Sequence, residues 1–179
     1  MTLQVAGTAL RAAIGAPEPV TWIEAAGTRL AAMRRGTGPA VLCLHAIGHG
    51  ARDFELLADR IGDRFEIIAL DWPGQGRSPD DGVAADAVHY ARLALAVLDA
   101  LGLDRAILVG NSIGGAASLR LAASRPDRVA AWCCATAAGW RCRRASGASC
   151  SIAWSRCSVP ASAAGAGSRR CSVCSIAAC

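Results

Sequence analysis

A serine flanked by glycines stands where an apolar run gives way to a helical pattern. The segment 110–114, Gly-Asn-Ser-Ile-Gly, places Ser112 at that junction. This spacing forces the serine onto a sharp turn, and the small flanking residues let strand and helix approach closely. A hydroxyl presented in this way is suited to attack on a carbonyl carbon, so Ser112 is the predicted nucleophile. The alternative, that Ser112 only caps the helix, stays open at this point.

Two backbone N–H groups are expected to face the oxygen on which negative charge develops during such an attack. The N–H of Ile113 opens the predicted helix, where unpaired N–H groups and the helix dipole favour negative charge. A second donor is expected from the loop after an earlier strand, and Ile47 in the segment 45–48 is the candidate. Ile113 and Ile47 are therefore the predicted oxyanion donors.

Apolar runs that alternate with helical patterns predict the elements that position these residues. A hairpin is predicted over 20–25 and 30–33 around Gly27. Continuous apolar runs predict buried strands over 40–44, 66–70 and 106–109, and a further strand begins at 129. Helical spacing predicts helices over 54–61, 86–101 and 114–124. Gly62 and Gly102 follow the first two helices and predict their ends, Gly62 in the left-handed conformation.

Strands that alternate with helices predict an α/β fold with a mostly parallel, twisted sheet and helices on both faces. In such folds, ligands bind outside the carboxyl ends of the strands. His45, Asp71 and the segment 110–114 each follow a predicted strand. The predicted site therefore lies at that edge of the sheet.

Four segments in register make residues 20–131 resemble the first half of an α/β-hydrolase with a serine nucleophile. They are the oxyanion loop at 44–48, the loop at 71–78, the nucleophile elbow at 110–115 and the turn at 125–129. Ala46 departs from the family pattern, which usually has Gly there. The resemblance implies an α/β-hydrolase fold that is truncated after the strand following the nucleophile helix.

The resemblance also implies a reaction class. With a serine as nucleophile, the chain resembles the esterases, lactonases and carbon–carbon bond hydrolases of the family. It differs from the family's dehalogenases and epoxide hydrolases, whose nucleophile is Asp. The residue directly before the nucleophile, Asn111, makes this segment similar to that of the carbon–carbon bond hydrolases. The implied activity is that of a serine hydrolase acting on an ester, lactone, thioester or carbon–carbon bond.

A serine nucleophile of this family works with an acid and a His base that both follow it along the chain. No Asp or Glu follows Asp127, and no His follows His89. The triad acid and His are therefore predicted to be absent from this chain. Because a serine hydroxyl without its base is a weak nucleophile, a second hypothesis stays open. In that hypothesis the chain is a catalytically dead fragment, or a non-catalytic binding remnant, of the same fold.

The other ionisable residues of the predicted site have structural interpretations. His45 precedes the nucleophile, whereas the family's base follows it, so we interpret His45 as a residue that bonds to the backbone of its loop. His49 and His89 are interpreted as solvated residues. Asp71 is interpreted as ordering its own loop.

The composition changes abruptly near residue 131. Residues 1–128 carry 13 Arg and all 14 acidic residues, whereas residues 129–179 carry six Arg, no acidic residue and eight of the nine Cys. Codons for 131–136, read from one base earlier, encode an apolar strand ending in a polar residue. We interpret the change as a shift of reading frame near codon 131. The predicted organisation is a lead-in (1–19), a partial hydrolase domain (20–131) and a disordered tail rich in Cys, Arg, Ala and Ser (132–179).

Two other interpretations of the tail are weaker. Cys171, Cys174 and Cys179 offer thiolates for zinc, but a second well-spaced pair is missing. The six Arg could contact nucleic acid, but they form no stripe and have no interleaved aromatic residues. We therefore predict no metal, no cofactor and no nucleic-acid partner.

The sequence also predicts compartment and ligand class. No apolar run reaches the roughly 18 residues of a membrane span, and residues 1–16 lack the pattern of a signal peptide. We expect a cytoplasmic protein without a membrane partner, whose ligand is a small-molecule acyl or ester-type substrate. The sequence leaves the oligomeric state open.

Overall fold

The computed structural model describes residues 19–136 and 139–144, with side chains described as far as Cys134. Seven strands and three α-helices follow one another in this part of the chain. The strands are β1 (Thr21–Ala25), β2 (Thr28–Arg35), β3 (Ala40–Leu44), β4 (Glu66–Leu70), β5 (Ala106–Asn111), β6 (Val129–Thr136) and β7 (Gly139–Arg144). The helices are α1 (Glu55–Ile61), α2 (Ala87–Ala100) and α3 (Ile113–Ser124), with 3-10 turns at Ala51–Phe54 and Pro126–Arg128.

The strands form one sheet in the order β1-β2-β4-β3-β5-β6-β7. The four central strands are parallel to one another, and antiparallel strands flank them on both sides. Parallel neighbours need crossover connections, which α1, α2 and α3 supply in turn. The predicted α/β fold with a mostly parallel sheet is confirmed, and so is the hairpin formed by β1 and β2. All four central strands end at one edge of the sheet, where the loops of the candidate site begin.

Helices cover both faces of the sheet at β3, whose five residues are all buried. Leu42 and Leu44 belong to the cluster that includes α2 and α3. Val41 and Cys43 point the other way, into the cluster that includes α1. Successive side chains of a strand alternate between faces, so a strand covered on both sides is apolar throughout. This is why the continuous run at 40–44 predicts the strand correctly.

The ends of the helices confirm one glycine prediction and correct the other. Gly102 has a φ of 64° and ends α2 in the left-handed conformation. Gly62 is wrongly predicted, because its φ of −65° is right-handed. The absence of a side chain at Gly62 matters for packing, since a Cβ there would lie 2.6 Å from the Ala58 carbonyl oxygen. In the described ranges no helix is long and apolar enough to cross a membrane.

The sheet continues past residue 131, where the predicted domain ends. Strand β6 runs to Thr136, and β7 pairs with it in antiparallel fashion. Trp132 and Cys133 pair with Leu108 and Val109 of β5. The given reading frame and the shifted one both encode apolar side chains at these positions, which suit a buried strand. The boundary predicted at 131 and the disorder predicted for 132–179 therefore differ from the structure at 132–136 and 139–144. The frameshift itself stays a prediction.

Several predictions lie outside the described residues. They are the lead-in as far as residue 18, the tail from residue 145 onward and the weaker zinc interpretation, which involves Cys171, Cys174 and Cys179.

Leu42→Ala tests the importance of the strand that both helix layers cover. Leu42 is fully buried, so we expect the free energy of unfolding to fall by about 2–5 kcal/mol. Leu56→Ala is the matched control, because Leu56 is 64% exposed and its loss should cost no more than about 0.5 kcal/mol. Urea unfolding of both variants measures the difference, and equal losses would contradict the assignment of β3 to the core.

Candidate active site

Ser112 sits between β5 and α3 in a strained backbone conformation. Its φ is 51° and its ψ is −114°. Positive φ is uncommon for a residue with a side chain, and such strain is retained where the surrounding structure enforces it. The Ser112 side chain makes no capping hydrogen bond and the residue is exposed, so the interpretation of Ser112 as a helix cap is wrong. Within the described residues its hydroxyl has no hydrogen-bond partner.

Three glycines around Ser112 allow the close contacts that produce this turn. A Cβ at Gly114 would overlap the carbonyl oxygen of Leu44, at the end of β3. A Cβ at Gly110 would lie 2.5 Å from the backbone of Gly114, and one at Gly115 would overlap the sulfur of Cys134 on β6. The start of α3 therefore lies directly against the ends of three strands. The predicted reason for the small residues, close approach of strand and helix, is confirmed.

The loop after β3 forms a tight turn beside the start of α3. The His49 N–H donates to the Ala46 carbonyl at 3.2 Å, and Gly48 has the φ of 76° that a type II turn requires. The Gly48 N–H donates to Gln75 Oε1 at 2.8 Å. The Ile47 N–H has no partner among the described residues, and its side chain is 52% exposed. Helix geometry likewise leaves the Ile113 N–H without an intrahelical partner.

His45 is fully buried and both of its ring nitrogens are engaged. Nε2 accepts the backbone N–H of Trp72 at 3.0 Å, which places the ring proton on Nδ1, and Nδ1 donates to the Ala46 carbonyl at 2.6 Å. Burial lowers the pKa of His45, although Asp71 and Asp53 partly oppose this effect. A neutral imidazole fixed in this way organises its loop, so the structural interpretation of His45 is confirmed.

Asp71 holds two loops together at the edge of the sheet. Its carboxylate accepts the Ala51 N–H at 2.7 Å and the Arg77 N–H at 3.0 Å. A Cβ at Gly76 would overlap this carboxylate, so the loop closes tightly around it. The prediction that Asp71 orders its own loop is confirmed, and the bond to Ala51 extends its role to the loop after β3.

The two remaining histidines differ from each other. The His49 side chain is 52% exposed and pairs with Asp53 at 2.7 Å. The His89 side chain is only 16% exposed and pairs with Asp81 at 2.7 Å, so the prediction that His89 is solvated is wrong. The backbone N–H of Val83 bonds to Asp81, and the Asp81 carboxylate lies against His89 in the first turn of α2.

Sequence reasoning missed two residues of the candidate site, Gln75 and Tyr90. The Gln75 amide bridges Gly48 and the Tyr90 hydroxyl, and the Tyr90 ring stacks on Trp72. The sequence signal is a Gln at the centre of a Gly/Pro loop and a Tyr on the apolar face of the next helix. Neither signal indicates that the two side chains meet.

A cleft of about 570 Å³ lies away from these loops. It is lined by Leu98, Asp99, Gly102, Leu103, Asp104, Asp127 and Arg128. This is the edge where β5 and β6 begin, opposite to the edge where Ser112 lies. The Arg128 guanidinium is already bonded to the carbonyls of Leu103 and Asp104 and paired with Asp99. In the described ranges no group of three His, Cys, Asp or Glu side chains is placed to hold a metal ion.

Comparison with known proteins places this geometry in a family context. A family model described as "alpha/beta hydrolase fold" matches residues 39–144. A putative non-heme haloperoxidase of Mycobacterium phage D29 is 35% identical over 112 residues, which cover 62% of this chain and 40% of that protein. A 2-hydroxy-6-oxo-6-phenylhexa-2,4-dienoate hydrolase of Burkholderia cepacia is 39% identical over 100 residues, covering 52% and 34%.

A solved structure shows the same partial overlap. The crystal structure of E-2-(acetamidomethylene)succinate hydrolase matches with a TM-score of 0.60 and 33% identity. The match covers 63% of this chain and 42% of that chain. The chain therefore spans well under half the length of these relatives.

Gly114→Ala tests whether close approach of α3 to β3 constrains the site. Because the added Cβ would overlap the Leu44 carbonyl, we expect a loss of about 3 kcal/mol or more in unfolding free energy. Gly102→Ala is the control, since its φ is 64° but nothing lies within 4 Å. Its free energy of unfolding should fall by only about 1–2 kcal/mol, the cost of a left-handed conformation for Ala. A loss in Gly114→Ala no larger than in the control, measured by urea unfolding, would contradict the contact.

The state of His45 predicts an acid-sensitive fold. Its folded pKa lies below the value of 6.5 for the free side chain, so the unfolded chain binds more protons between the two values. The free energy of unfolding should therefore fall as the pH drops below about 6.5, by at most about 1.4 kcal/mol per pH unit.

His45→Gln keeps an acceptor for the Trp72 N–H but cannot titrate. We expect this variant to be less stable at neutral pH and to lose that part of the pH dependence. Urea unfolding at several values between about pH 5 and pH 8 measures both effects. The same slope in His45→Gln as in the parent would show that another group titrates.

Proposed function

The chain belongs to the alpha/beta hydrolase fold family, and on this premise we propose that it carries the nucleophile and oxyanion site of a serine hydrolase. The observation that carries the proposal is the conformation of Ser112. Ser112 is strained, exposed and without a capping bond, and glycine contacts hold it at the start of a helix. A nucleophile requires such a conformation, whereas a serine with a purely structural role does not require it.

The proposed reaction begins with attack of Ser112 Oγ on a carbonyl carbon. A C–O bond forms, the carbonyl π electrons move to the oxygen, and the hydroxyl proton passes to a base. The Ile113 and Ile47 N–H groups donate to the resulting oxyanion from α3 and from the turn after β3. The leaving group then departs with a proton. Water attacks the acyl-enzyme carbonyl and loses a proton to the base, the bond to Ser112 Oγ breaks, and Oγ regains a proton as the acid product leaves.

The base is not His45. Its Nδ1 donates to the Ala46 carbonyl and its Nε2 accepts from Trp72, so neither nitrogen is available to the Ser112 proton. Burial also lowers its pKa. In the family an acid and a His after the nucleophile perform this role, and none occurs among residues 128–179. We therefore propose that, in the whole protein, a His and an acid beyond residues 1–179 complete the site.

The proposed substrate is a small molecule with an ester, lactone, thioester or ketone carbonyl. Support comes from the serine at the nucleophile position, because serine attack on a carbonyl is the chemistry of acyl transfer. Asn111 and the similarity to a 2-hydroxy-6-oxo-6-phenylhexa-2,4-dienoate hydrolase favour carbon–carbon bond cleavage within that class. We propose no cofactor, and we propose the cytoplasm as the compartment.

The absence of a His after His89 favours a second candidate, a non-catalytic remnant of the same fold. In that case the elbow geometry is retained by packing alone and the oxyanion turn binds a ligand without turnover. The two candidates differ in whether the Ser112 hydroxyl reacts with an electrophile.

A fluorophosphonate probe separates the two candidates. Ser112 Oγ forms a bond to phosphorus, fluoride leaves, and the hydroxyl proton passes to solvent. We expect a stoichiometric mass increase on Ser112, with a rate well below that of complete hydrolases because loss of the base costs up to roughly 10⁶ in rate. Ser112→Ala should abolish the labelling, and intact-mass analysis with peptide mapping measures it.

Ser124→Ala is the matched control, because Ser124 is an exposed serine at the other end of the same helix. This variant should label like the parent. Folded parent protein that stays unlabelled, or labelling that survives in Ser112→Ala, would favour the non-catalytic candidate.

A further inference from the structure

Gln75 joins the turn after β3 to helix α2 through both ends of its side-chain amide. Oε1 accepts the Gly48 N–H at 2.8 Å, and Nε2 donates to the Tyr90 hydroxyl at 3.0 Å. The Gly48 N–H can only donate, which fixes the amide with its oxygen toward Gly48. The backbone of Gln75 is also held, since its N–H donates to the Trp72 carbonyl at 3.0 Å.

Two successive peptide planes around Ile47 are restrained. The first contains both the Ile47 N–H and the Ala46 carbonyl, which accepts from His45 Nδ1 and from the His49 N–H. The N–H of a trans peptide points opposite to the carbonyl of the same plane, so these bonds set the direction of the Ile47 N–H. The second plane, which joins Ile47 to Gly48, contains the Gly48 N–H, which Gln75 restrains.

Both restraints lead back to one buried aromatic pair. Tyr90 is 1% exposed and stacks on Trp72 with ring centroids 4.1 Å apart and planes 8° apart. Trp72 in turn donates its backbone N–H to His45 and its indole N–H to the His45 carbonyl. The turn is thus held from two sides by the same rigid group.

Resting on the proposed function, we propose that Gln75 is a positioning residue that holds the Ile47 N–H in the direction of the oxyanion. Among the described residues, the Gln75 side chain hydrogen-bonds to Gly48 and Tyr90 and not to Ser112. A donor held in place before the reaction costs no reorganisation when charge develops, whereas a donor on a mobile turn does. Because Gln75 bonds to Tyr90 in the core, it restrains the turn relative to α2.

Three variants test the proposal in the full chain. Gln75→Ala removes both bonds, and Gln75→Glu keeps an acceptor for the Gly48 N–H and offers its second oxygen to the Tyr90 O–H. Tyr90→Phe removes only the link to the core. The readouts are the solvent exchange rate of the Gly48 amide by ¹⁵N NMR and the rate of Ser112 phosphonylation by the fluorophosphonate probe.

In Gln75→Ala we expect Gly48 exchange to rise at least about tenfold and Ser112 phosphonylation to fall about tenfold, less than the roughly 10²–10³ for loss of a whole donor. The thermal midpoint should stay within about 3 °C of the parent, which separates positioning from unfolding. Gln75→Glu should restore both rates to within about twofold, and Tyr90→Phe should increase Gly48 exchange by a smaller factor.

Each contrary result has a distinct meaning. Unchanged Gly48 exchange in Gln75→Ala overturns the inference, and so does faster exchange with an unchanged Ser112 rate. Gln75→Glu that behaves like Gln75→Ala overturns the role of the acceptor oxygen. If Gln75→Ala does not fold, the Gly48 exchange rate and the Ser112 phosphonylation rate of Tyr90→Phe replace those of Gln75→Ala in this comparison. Unchanged rates in Tyr90→Phe then overturn the inference. An unlabelled parent shows instead that the proposed function fails, and this is known before any variant is compared.

Discussion

The approach of helix α3 to the end of β3 is the contact on which the rest of the site depends. Gly114 lies so close to the Leu44 carbonyl that a methyl group would not fit. This distance brings the unpaired N–H groups at the start of α3 to the loop that leaves β3. It also leaves Ser112, between β5 and the helix, only the strained conformation that it has. The geometry of the site is therefore a consequence of packing between a helix and a sheet.

Buried polar side chains extend this order from the sheet into the loops. Asp71 binds the N–H groups of Ala51 and Arg77, and Ser78 accepts the Ala31 N–H while it donates to the Asp71 carbonyl. His45 is held in one tautomer by its two backbone partners. All of these bonds except the partly buried one to the Arg77 N–H are buried, where a lost partner leaves a costly unsatisfied group. For this reason the loops at the carboxyl edge behave as parts of the core.

The sequence predicts the features that depend on local spacing. The elbow, the strand at 40–44 and the end of α2 at Gly102 follow from glycine positions and hydrophobic period, and the structure confirms them. Prediction from the sequence fails where side chains from distant parts of the chain meet. The pair formed by His89 and Asp81, and the bridge from Gln75 to Tyr90, join residues whose proximity depends on how a loop folds back. Gly62 shows that a glycine after a helix need not be left-handed, since its φ is −65°.

The bonds that hold the loops have a consequence for the order of folding. The Ala31 N–H and Ser78 are 47 residues apart, and Trp72 lies 27 residues after its partner His45. Parallel pairing of β3 with β5 spans a longer interval still. Closing such intervals costs chain entropy before any contact repays it, so non-local pairings form slowly. On the ribosome, the turn that bears Ile47 emerges before the residues that hold it. The turn reaches its final form only after Trp72, Gln75 and Tyr90, which hold it in the folded protein, have been synthesised.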